Sequence, residues 1–174
     1  MLQPVLRSFY KRCIFLAAAV LLAAAGPTLL ARFQAACLVV EISEMKEIAW
    51  ATPLKDGEEF QLRYIHSVDR LPVFETYTVE GTELVLMETR FLSWGAGLGY
   101  MGEGVLGGEN GWTVIKGMQR KVGVIPLRVG TIAEHTLLYN GAEIRLRDFL
   151  PAQTLVHIRV KKSFFIKHCG REKT

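Results

Sequence analysis

Residues 59–68 read EFQLRYIHSV, and their alternation sets the fold class. Phe60, Leu62 and Tyr64 fall on one face, with His66 continuing the row, while Gln61, Arg63 and Ile65 fall on the other. Side chains two apart share a face only in an extended chain, so the pattern predicts a strand with one side on a core. The same rhythm recurs outward from it. Residues 38–42 (LVVEI) form an apolar run upstream, and strands are expected downstream over 73–79, 83–92, 112–115, 122–129, 131–139, 143–146 and 155–160. Asp56-Gly57, Glu80-Gly81, Val129-Gly130 and Asn140-Gly141 punctuate these runs, and Asn-Gly is the strongest hairpin signal of the four. Helix-length patterns are scarce. The expectation is an all-β domain, an antiparallel β-sandwich or barrel of about eight to ten strands, preceded by one N-terminal hydrophobic helix.

That helix is expected from residues 14–31 (IFLAAAVLLAAAGPTLLA), which carry no charge. Eighteen residues in a helix rise about 27 Å, close to the hydrocarbon thickness of a bilayer. Arg7, Lys11 and Arg12 flank the segment on its N-terminal side and would hold that end in the cytoplasm. Small residues Ala23 and Ala25 before Gly26-Pro27 fit a cleaved signal peptide as well. Either way the rest of the chain faces the periplasm or the exterior. The expected organisation is therefore 1–34 as basic flank plus anchor or signal, 35–163 as an extracytoplasmic β domain, and 164–174 as a basic tail.

The formal net charge of +4 belongs mostly to that leader. Without Arg7, Lys11 and Arg12 the chain has eighteen bases against seventeen acids, a net of +1. No basic stripe with interleaved aromatics follows, which argues against nucleic acid as a partner. Cys13 is expected to belong to the membrane segment, as a buried small apolar residue. Cys37 and Cys169 stand near the two ends of the domain in an oxidising compartment, where a disulfide or two separate thiols are both open. Gln34 and Arg32 do not suit a lipid-attachment site at Cys37. No spacing suggests a metal or a cofactor.

Residues 95–111 (GAGLGYMGEGVLGGENG) break the strand rhythm. So dense a run of glycine reads as a loop, or as a hairpin with a mobile tip. Residues 97–102 match GxGxxG, but Glu103, Gly104 and the glycines beyond cannot continue as the helix that a dinucleotide site requires. His66, Ser67 and Glu75 contain the residue types of a hydrolytic triad. Neighbours in a strand point to opposite faces, and no nucleophile elbow or oxyanion hole accompanies them. The ordinary reading is that Ser67 caps a turn and His66 bonds a carboxylate such as Glu75.

The run Phe60-x-Leu62-x-Tyr64-x-His66-Ser67-Val68, then Pro72-Val73 and Glu75, then Leu84-x-Leu86, then Phe91-x-Ser93-x-Gly95-Ala96-Gly97-Leu98, resembles a family of bacterial and archaeal proteins. Genes of that family often stand beside tripartite ATP-independent periplasmic (TRAP) transporters of the TAXI type. The resemblance is specific over residues 60–98, and Gly99 stands where several members carry a proline. It implies an accessory of solute uptake on the periplasmic face, touching the transporter's membrane subunits or its solute receptor. It also implies a shared site of His66, Ser67, Glu75, Ser93, Gly95 and Gly97, with Glu75 facing His66. The functional expectation is a non-enzymatic accessory or binding protein. Its alternatives are a small-ligand carrier whose lid is the Gly-rich run, and a hydrolase using His66, Ser67 and Glu75.

Overall fold

The computed structural model describes residues 35–94 and 102–163. Eleven strands run through them: β1 (Ala35–Ile42), β2 (Glu47–Pro53), β3 (Glu59–Ile65), β4 (Pro72–Glu80), β5 (Glu83–Phe91), β6 (Val105–Glu109), β7 (Trp112–Lys121), β8 (Val124–Arg128), β9 (Thr136–Tyr139), β10 (Ala142–Arg145) and β11 (Leu155–Ser163). One 3-10 turn, Leu146–Asp148, interrupts them. All pairings are antiparallel. They form a four-stranded sheet in the order β2-β1-β11-β8 and a seven-stranded sheet in the order β10-β9-β3-β4-β5-β7-β6.

The sheets share one core. Leu38 and Val40 of β1 with Val156 and Ile158 of β11 meet Phe60, Leu62, Tyr77, Val79, Leu84, Leu86 and Leu137 of the larger sheet. Period-two alternation places these residues on the inner faces, and each fully buried Leu or Phe contributes about 1.5–3 kcal/mol. β1 departs from simple alternation. Its odd positions Cys37, Val39 and Glu41 are also buried, at 1%, 0% and 0% exposure, which is why residues 37–40 (CLVV) are apolar without alternation.

Two strands lie where none was expected. β2 (EIAWATP) hides its pattern behind two alanines, and it pairs with β1 through a bulge between Val40 and Glu41. β6 lies inside the glycine-rich run and pairs with β7 across the two-residue turn Asn110-Gly111. Both turn residues have positive φ, 50° and 85°, as a type I′ turn requires. The expected runs 59–68 and 131–139 are shorter than read, reduced to Glu59–Ile65 and Thr136–Tyr139.

Register sets out the two ends of the larger sheet. Ile65 pairs with Pro72, Val73 with Phe91, Phe91 with Thr113 and Arg63 with Thr136, so these residues mark one end. At the opposite end Leu54 N–H donates to the Ala36 carbonyl, and Tyr139 Oη donates to the Pro53 carbonyl. The first described residue, Ala35, belongs to that opposite end. Among the described residues no helix is long and apolar enough to cross a membrane. The expected N-terminal helix, the tail 164–174, Cys13, Cys169, Gly95 and Gly97 lie outside the described residues.

Candidate functional site

Glu75 stands on β4, flanked across the sheet by Leu62 and Thr89. It shares the inward face with Val73 and Tyr77, and its carboxyl is taken by two hydroxyls. Tyr77 Oη donates to Oε2 at 2.6 Å and Tyr64 Oη donates to Oε1 at 3.3 Å. Burial pushes this carboxyl above its ordinary 4.5, against the opposing pull of the Tyr77 and Tyr64 bonds and the charge of Arg120. The tyrosine hydroxyls are raised too, by burial first and then by the Glu75 charge. Both therefore keep their protons and act as hydrogen-bond donors. Arg120 is engaged by Glu103 at 2.5 Å, and Thr89 Oγ1 donates to Met118 Sδ at 3.7 Å.

His66 and Ser67 do not join this cluster. β3 ends at Ile65, and residues 66–71 form a turn in which His66 N–H donates to the Leu71 carbonyl and Arg70 N–H donates to the His66 carbonyl. The carboxylate beside the imidazole is Asp69, with Oδ2 3.6 Å from Nδ1, and not Glu75 as expected. The reason is register: Glu75 lies three residues into β4, opposite Leu62, while His66 lies beyond the end of β3. Ser67 is exposed on the turn, so the three groups of the hydrolytic reading are not assembled. Ser93 follows the end of β5. The HSV turn and the Phe91–Trp94 segment accordingly share one end of the sheet, with β4 between them.

That end carries an unusual surface. Val68 is 66% exposed, Trp94 51%, Leu92 40% and Ile132 39%. Val68 lies on the β3–β4 turn and Leu92 and Trp94 follow β5. Ile132 precedes Ala133, whose carbonyl accepts from Ile65 N–H. Trp94 packs edge-on against the buried Phe91, and Tyr64 tilts against His135. Burial pushes the His135 imidazole down, and its Nδ1, like Asp69 Oδ2, is buried with no hydrogen bond. Buried polar atoms without hydrogen bonds are costly and uncommon; Asp69 Oδ2 still lies 3.6 Å from the His66 ring nitrogen, whereas His135 Nδ1 makes no bond.

Other candidates lead elsewhere. An open depression of about 440 Å³ lies on the outer face of the larger sheet, over Gln61, Thr76, Leu138 and Glu143, and includes none of the described residues 102–111. Cys37 carries a free, buried thiol. Among the described residues no group of three His, Cys, Asp or Glu is placed to hold a metal ion. Reasoning from sequence missed Tyr64 and Tyr77 as partners of Glu75, although strand alternation already put Tyr64 on the buried row. It also missed the exposed apolar end, because the placement of Val68, Trp94 and Ile132 at one end of the sheet arises only from strand order.

The described residues thus make a two-sheet antiparallel β domain with a protonatable inner cluster and an apolar end. Residues 60–146 match the family described as Domain of unknown function (DUF1850), which is half of the chain, and the chain belongs to that family. The match spans nearly all of the seven-stranded sheet and, of the smaller sheet, only β8. No curated protein and no solved structure matches the chain.

Proposed function

We propose that this protein is a non-enzymatic, extracytoplasmic accessory of a TAXI-type TRAP transporter, held at the cytoplasmic membrane or released from it by its N-terminal segment. It binds the transporter's membrane subunits or its solute receptor. The observation that carries the binding role is the apolar end made by Val68, Leu92, Trp94 and Ile132. Exposed apolar clusters of this kind mark contact surfaces in soluble domains. Three of the four residues fall within the HSV and FLSWGAGL segments that carry the family resemblance, and the transporter link rests on that resemblance. A dispersed His66, Ser67 and Glu75 supports binding over hydrolysis.

The test is co-purification of the full chain with transporter components after mild solubilisation of native membranes. The wild-type chain is expected to retain a membrane subunit or the solute receptor, and a Val68→Lys/Trp94→Glu chain with unchanged circular dichroism is expected to lose it. Absence of every transporter component from the wild-type complex, or equal retention by the variant, would overturn the proposal.

A further inference from the structure

Among the described residues β6 is an edge strand, and its own sequence lacks the protections that edges ordinarily carry. Natural edge strands are guarded by lysine, proline, bulges or projecting charges, which stop another chain from pairing with them. The other three edges follow this rule: β2 has Glu47, Pro53 and a bulge at its pairing with β1, β8 has Pro126 and Arg128, and β10 has Glu143 and Arg145. β6 reads VLGGE and pairs with β7 in unbroken register. Val105 is 74% exposed and Leu106 41%. A Cβ at Gly107 would meet nothing within 4 Å, so the face of the sheet over this position is open. The one charge, Glu109, is already held by Arg90 and Lys116.

The hairpin determines which backbone groups are on offer. The two-residue turn closes Glu109 on Trp112, and such a turn closes on a hydrogen-bonded pair. Val105, Gly107 and Glu109 therefore direct their N–H and C=O groups to β7. Leu106 and Gly108 direct theirs to the open side.

We infer that β6 pairs antiparallel with β6 of a second copy, about a two-fold axis through Gly107, joining the two seven-stranded sheets into one. A two-fold axis perpendicular to a sheet keeps every residue on its own face, so Leu106 meets Gly108 of the second copy and Val105 meets Glu109. The leucine side chain lies over a position without a Cβ, and the same pair exchanges N–H···O=C bonds on both sides of the axis. The strand is complementary to itself in this register. A two-residue slip either way shortens the pairing from five residues to three, because Gly104 and Asn110, with φ values of 74° and 50°, do not extend the strand. Gly104 cannot be changed to allow it, because a Cβ there would fall on the Lys116 carbonyl oxygen.

The pairing is independent of the transporter reading and is tested on the full chain in detergent, with Cys13→Ser and Cys169→Ser leaving only the buried Cys37. Facing Cα atoms in a non-hydrogen-bonded antiparallel pair are about 4.5 Å apart, within the range that a disulfide spans. Gly107→Cys is therefore expected to oxidise to a covalent dimer, while Val105→Cys, far from the axis, stays predominantly monomeric. By sedimentation, Leu106→Lys is expected to weaken self-association about tenfold or more with unchanged circular dichroism. A wild-type chain that is monomeric at every accessible concentration, equal cross-linking at positions 105 and 107, or undiminished association of Leu106→Lys would each overturn the inference. So would pairing of β6 with a different protein while the purified chain stays monomeric.

Discussion

Glu41 is buried in the smaller sheet and Glu75 is half-buried in the larger one, and their surroundings treat them in opposite ways. Glu41 on β1 has a side chain with 0% exposure and accepts from Arg159 at 2.7 and 2.8 Å, with Lys161 also bonded to it. Burial alone would raise its carboxyl, but the hydrogen bonds and charges of Arg159 and Lys161 outweigh it and hold the group below 4.5. Glu75 on β4 meets two hydroxyls and no bonded cation, and there burial wins. The partner, more than the depth, sets the charge state of a buried acid. An ion cluster closes the smaller sheet, and a protonatable cluster lies in the larger sheet, whose end carries the apolar rim.

The largest effect is expected where charge would be left uncompensated. Arg159→Met with Lys161→Met leaves Glu41 buried alone and should lower stability by about 3–5 kcal/mol in urea unfolding at neutral pH. Adding Glu41→Leu should restore most of that loss, since an apolar trio needs no desolvation of charge. A double variant as stable as the wild type would contradict the ionic half of the contrast. Next in size is Tyr77→Phe, which removes the 2.6 Å bond to Glu75 and should cost about 1–3 kcal/mol. Tyr64→Phe removes a longer bond of 3.3 Å and should cost less. Equal losses would argue against the unequal clasp.

The pH dependence separates the two acids further, because they pull in opposite directions. A raised folded value at Glu75 gives stability that is full below the ordinary 4.5 and is lost as pH rises through the folded value. A lowered folded value at Glu41 gives stability present above 4.5 and lost as pH falls through the folded value. Glu75→Gln should remove the decline above 4.5 while leaving the acid-side loss intact. The decline removed amounts to about 1.4 kcal/mol for every pH unit that separates the folded midpoint of Glu75 from its unfolded one. Parallel stability curves for the wild type and Glu75→Gln would remove Glu75 from the account.

Much of the fold is legible because its strands obey simple alternation. Spacing alone places Phe60, Leu62 and Tyr64 on one row, and Asn140-Gly141 marks a two-residue hairpin between β9 and β10. β2 escapes because alanine and proline mask a strand pattern, and β6 because glycine carries no side chain from which to read a face. The site is less legible. His66 reads as a continuation of β3, but the chain turns after Ile65, which brings the imidazole toward Asp69. The clasp on Glu75 depends on a long-range register that no local pattern contains, and Tyr77 keeps to the inner row across a bulge between Thr76 and Tyr77 in the β4–β5 pairing. The apolar end depends on strand order, which joins residues as distant in sequence as Val68 and Ile132.

A side-chain carboxyl NMR titration of Glu41 and Glu75 in the full chain, with Glu75→Gln identifying one signal by its loss, tests the opposition of the two acids most directly. The structure predicts a midpoint above 4.5 for Glu75 and below 4.5 for Glu41. Midpoints in the reverse order, or both at the ordinary value, would contradict it.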